Sequence, residues 1–88
     1  MQEYIDWCYR TALSHSLTQR QRKRYKPSMT LENGIATLIL KDVVGAWSVK
    51  KCVSVEELCY TRLGMYDHIA MNAEQMYNNI TRNRHATV

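Results

Sequence analysis

The chain has 88 residues, with 45% hydrophobic and 23% charged residues, and carries 12 Lys and Arg against 8 Asp and Glu for a formal charge of +4. That length excludes an α/β barrel or a two-domain enzyme, and the composition excludes a disordered or fibrous chain. A single domain, 1–88, is expected, with only about 60–65% of its unfolded surface buried on folding, so that a dimer interface would help it.

Residues 2–25 read as one basic-ended helix. They contain no Gly or Pro, and Tyr4, Ile5, Cys8, Tyr9, Ala12, Leu13 and Leu17 share one face at about 100° per residue. Glu3 and Asp6 near its start and the cations at its end complement the helix dipole. Pro27 is expected to stop it, because proline disfavours helical geometry in the residue before it.

Residues 28–53 read as an antiparallel sheet. Asn33-Gly34 is a two-residue hairpin signal, since a type I′ turn needs positive φ at both positions. That turn pairs Leu31 with Ala36 and Met29 with Leu38, and places these apolar residues on one face with Leu40. A second reversal around Asp42 to Gly45 leads into a strand, Ala46 to Val53, with one wet face. Residues 54–82 read as a long C-terminal helix, opened by a Ser54/Glu57 capping box and striped by Val55, Leu58, Cys59, Leu63, Tyr66, Ile69, Ala70, Ala73, Met76, Tyr77 and Ile80. Residues 83–88 are expected to be a frayed tail. The fold class is α+β in the order α-β-β-β-α, a three-stranded antiparallel sheet with two helices on one face.

A helix from Ser54 to Arg82 would span roughly 40 Å at about 1.5 Å per residue, longer than a domain of this size covers. Its far stripe would then form the seam of a homodimer through Arg62, Ile69, Ala73, Met76 and Ile80, unless the first helix covers it or Gly64 breaks it.

Met1 is followed by Gln2, Glu3 and Asp6, which argues against a secretory signal, and no apolar stretch approaches the ~20 residues of a membrane span. Cys8, Cys52 and Cys59 are expected to be reduced, mostly buried thiols of a cytoplasmic protein. Cys52, Cys59 and His68 are spaced too widely for a zinc site, so no metal or other cofactor is expected. Gly34, Gly45 and Gly64 are isolated, the carboxylates are scattered, and no nucleophile signature appears, so the chain reads as non-enzymatic.

The strongest functional signal is charge. Arg10, Arg20, Arg22, Lys23, Arg24 and Lys26 lie between Trp7 and Leu31 with no acid among them, whereas acids outnumber cations over the remainder. A polyanion would relieve the repulsion within Arg20, Arg22, Lys23, Arg24 and Lys26 and release counterions, with Lys50 and Lys51 extending the surface and Tyr25 stacking on a base. The expected function is a small basic regulatory or binding protein that docks on nucleic acid or a nucleoprotein complex. The alternative is a protein-binding inhibitor or adaptor, of the kind phages encode, anchored by Trp7, Trp47 and Met71. Trp7 lies opposite the apolar stripe of its helix, and Trp47 is placed on the outer face of the sheet. The element order resembles that of double-stranded-RNA-binding domains. Lys50 and Lys51, however, precede Ser54, and the following helix opens with Glu56 and Glu57, so no family is assigned.

Overall fold

The computed structural model describes residues 1–86, with side chains described through Arg82. In chain order it contains α1 (Gln2–Ser16), α2 (Gln19–Arg24), β1 (Tyr25–Glu32), β2 (Ile35–Asp42), β3 (Trp47–Ser54), α3 (Val55–Tyr60) and α4 (Met65–Ala86). The three strands form an antiparallel sheet in the order β1-β2-β3. The expected α+β architecture is present, and α1 and α4 pack on each other and against the sheet.

The hairpin follows its turn chemistry. Asn33 and Gly34 take φ of 52° and 76°, the left-handed pair that a type I′ turn requires. Leu31 pairs with Ala36 and Met29 with Leu38, as the turn dictates. Alternation then puts Tyr25, Ala36, Leu38, Leu40, Asp42 and Val53 on the buried face, together with the half-buried Met29, Leu31, Trp47 and Val49. α1 contributes Ile5, Cys8, Tyr9, Ala12 and Leu13 to the core, and α4 contributes Ile69, Ala73, Met76 and Ile80. The Tyr9 hydroxyl donates to the Ile39 carbonyl at 2.6 Å, tying α1 to the central strand. Burial raises the pKa of that phenol, which stays a neutral donor.

Both long helices of the sequence reading are broken. The first ends at Ser16, and α2 restarts behind a capping box. Thr18 Oγ1 accepts from the Gln21 amide, and Gln21 Oε1 accepts from the Thr18 amide. Arg24 then closes α2 and Tyr25 opens β1 with no residue between them. Pro27 therefore does not stop a helix. It sits within β1, an edge strand, where a missing N–H is tolerated.

The second break spans Thr61 to Gly64: α3 ends at Tyr60, Thr61 is extended, and Gly64, with φ of 85°, leads the chain into α4. Ser54 Oγ accepts from the Glu57 amide at 3.3 Å, so the Ser54 half of the expected capping box forms, while the Glu57 side chain makes no return bond to Ser54 among the described residues. α4 is helical as far as Ala86, within the expected tail, and the end of that tail, 87–88, lies outside the described residues.

These breaks correct the dimer seam. Ile69, Ala73, Met76 and Ile80 are 0–2% exposed because α1 and the sheet of the same chain cover them. Arg62 lies in the exposed loop before Gly64, not in the stripe. Cys59 and Cys52 are likewise exposed, Cys59 on α3 and Cys52 on the outer sheet face, and only Cys8 is a buried thiol. No described helix is long and apolar enough to cross a membrane.

Candidate functional site

The basic run is divided among three environments by the helix-to-strand junction. Arg24 faces inward. Its Nε and Nη2 donate to Asp42 at 2.9 and 3.0 Å, and its ring neighbour is Tyr25, 5.5 Å below the guanidinium. Asp42 is fully buried and also accepts the Val44 and Gly45 amides at 3.0 and 3.1 Å. Burial pushes that carboxyl up, but the Arg24 guanidinium and the two turn amides outweigh it and hold its pKa below the ordinary value. Arg24 is thus a structural partner of the β2–β3 turn, and the expectation that it serves a polyanion is corrected.

Arg22 spans back to α1 and donates from Nη2 to the Ser14 carbonyl at 2.8 Å. Arg20 and Lys23 point away from the fold and, with Gln19, line an open hollow of about 460 Å³. The hydrogen bond between Gln21 Nε2 and the Tyr77 hydroxyl, 3.2 Å, docks the opposite side of α2 on α4 and leaves those two cations outward.

Lys26 and Lys50 lie on the outer face of the sheet, opposite the buried residues of their strands. A residue passed over in the sequence joins them. Lys41 pairs directly with Lys26 across β1 and β2, and Ile39, two residues before Lys41, pairs with Lys50. Side chains directly opposite in a sheet stand about 5 Å apart, so Lys26 and Lys41 repel at close range. Among the described residues no carboxylate lies within salt-bridge distance of Arg20, Lys23, Lys26, Lys41 or Lys50. Lys51 is on the other face. Its Nζ donates to Gln75 Oε1 at 2.8 Å, which removes it from the patch.

The aromatic anchors are also redistributed. Tyr25 is 1% exposed, so it is not available to stack on a base. Trp47 packs on the helix-covered face against the core, not on the outer face, because Trp47 pairs with Asp42 and shares its side of the sheet. Trp7 is 57% exposed and stacks on Tyr4 with ring centroids 6.1 Å apart, while Tyr66 of α4 tilts against it at 6.2 Å. Met71 is exposed beside Leu63, His68 and Asn72 in a separate hollow. No group of His, Cys, Asp or Glu among the described residues has the arrangement of a metal site.

No protein-family model matches the chain, and neither a curated protein nor a solved structure matches it.

Proposed function

We propose that the protein is a small non-enzymatic binding protein that docks on nucleic acid, alone or within a nucleoprotein complex, through a cationic surface formed by α2 and the outer face of the sheet. The carrying observation is the Lys26–Lys41 cross-strand pair, with Lys50 diagonal to it and no carboxylate within salt-bridge distance among the described residues. Like charges directly opposite one another destabilise a sheet, and phosphates between them would turn that repulsion into attraction. Arg20 and Lys23 present a second group of free cations on the adjoining helix.

Binding of labelled duplex and single strand, measured by anisotropy against salt concentration, tests this reading. With five phosphate contacts the duplex affinity falls with a log–log slope of about −4.5, and replacing Lys26, Lys41 and Lys50 by Ala brings the slope to about −2. Absence of binding at about 50 mM salt, or a slope unmoved by the triple substitution, defeats the reading.

The exposed Trp7–Tyr4 stack favours a second reading, a protein-directed inhibitor or adaptor. Under it, Trp7→Ala abolishes capture of the partner and leaves nucleic-acid affinity untouched.

A further inference from the structure

A cleft of about 300 Å³ opens at the sheet edge, where the last turns of α1 meet α2 and the start of β1. Its apolar wall is Leu13, Leu17 and Pro27, and Arg10, Arg22 and Lys26 surround it. Arg10 is neutralised by Asp6, whose two oxygens accept from its Nε at 3.0 Å. Two uncompensated positive charges remain, on Arg22 and Lys26. Arg22 is held in place by the Ser14 carbonyl, and the rest of its donor fork is free. Tyr25 completes the lining, and its hydroxyl is the buried side-chain polar atom left without a hydrogen-bond partner among the described residues.

We propose that this cleft binds a phosphate monoester carried on a flat, weakly polar body, the chemistry of a nucleoside 5′-monophosphate. Charge selects the group. A phosphate monoester carries about −1.5 to −2 near neutral pH, which matches Arg22 plus Lys26, whereas a carboxylate or an internal phosphodiester carries half as much. Size selects the body. The cleft lies at the lower end of the range for small-ligand pockets, about 300–1,000 Å³, and its aliphatic wall suits one face of a base. The monoester has two sources, a free nucleotide or the 5′ end of a strand. The second rests on the nucleic-acid reading above, and the first does not.

The test is an amide-resolved NMR titration of the full chain with adenosine 5′-monophosphate, and with adenosine as the uncharged control. A parallel measurement compares binding of one oligonucleotide with and without its 5′-phosphate. The nucleotide is expected to shift amides at Leu13, Leu17, Arg22 and Tyr25, and adenosine is not. Arg22→Ala and Lys26→Ala each weaken the nucleotide about tenfold, the loss of one hydrogen bond to a charged group. A 5′-phosphate that tightens strand binding assigns the site to strand ends. Equal binding of both oligonucleotides, with nucleotide shifts present, assigns it to free nucleotides. Loss of general strand binding beside intact nucleotide shifts removes the function proposed above and keeps this one. Equal shifts from adenosine, no shifts in the cleft, or wild-type nucleotide affinity in both variants overturns it.

Discussion

Replacing Asp42 by Ala removes the acceptor of four hydrogen bonds at once, two from Arg24 and one each from the Val44 and Gly45 amides. Breaking a fully buried ion pair costs about 3–5 kcal/mol. The guanidinium side chain of Arg24 retains 23% exposure and can recover some hydration, which lowers the expected cost of Asp42→Ala to about 2–3 kcal/mol. A domain of this length has a total stability of about 4–13 kcal/mol, so the change is a large share of it. With a urea m-value near 1 kcal/mol/M, the unfolding midpoint falls by about 2 M. The double variant with Arg24→Ala is expected to lose less than the two single variants together, because each single variant strands the other's partner. The pH dependence has a definite sign. The folded pKa of Asp42 is depressed, so its contribution is complete above the unfolded carboxylate range near pH 4 and is lost as pH falls through the lower folded value. Asp42→Asn therefore flattens the acid side of the stability profile. A midpoint shift under about 0.5 M, or strict additivity with Arg24→Ala, would refute the role given to this pair.

Gly45→Ala places a Cβ 2.7 Å from Trp47 Cδ1 and 3.2 Å from Asp42 Oδ2, and is expected to cost about 1–2 kcal/mol in thermal or urea melts as the indole is displaced. Tyr9→Phe leaves the Ile39 carbonyl without its donor, with an expected loss of about 1 kcal/mol in urea; no change would show that water replaces the bond. Lys26→Glu faces an acid to Lys41 and should raise stability by about 0.5 kcal/mol while reducing nucleic-acid affinity, so the two measurements move in opposite directions. Ile69→Ala creates a core cavity costing about 2–5 kcal/mol, and its melting temperature is expected to be independent of protein concentration, whereas a seam residue would make it concentration-dependent.

The hairpin was legible because its information is local. Asn33-Gly34 sets the register, and period-two alternation agrees with it. The same register, followed outward past Pro27, places Tyr25 opposite Asp42 and Lys26 opposite Lys41. Both the Arg24–Asp42 pair and the role of Lys41 were thus implicit. They are hidden because the absence of Gly and Pro before Pro27 reads as helix, and an edge strand tolerates a proline that in sequence reads as a helix stop. Thr18-Gln19-Arg20-Gln21 carries the capping-box spacing that divides α1 from α2, so the first break also had a local signature. The burial of Ile69 through Ile80 by α1 was different in kind. A helical stripe states that it needs cover and not what provides it, and only the packing of α1 on α4 decides between a partner and the chain itself. The inward face of Trp47 is likewise not set by its own strand. Alternation orders residues within a strand, but which alternate set faces inward depends on the neighbouring strand, where Asp42 and Leu40 are buried.

The direct passage from Arg24 to Tyr25 has a mechanical consequence. Without a hinge between helix and strand, the outward cations of α2 and the lysines on the sheet keep a fixed spacing, like teeth on one comb. A charged polymer touching both groups would have to adapt its own path to that spacing, because the backbone that carries the cations is already ordered by folding, while their side chains keep their rotamer freedom. If nucleic acid is the visitor, as proposed above, rigid and regularly spaced charges would suit such a comb better than a limp strand, and stiffness more than letter sequence would govern binding.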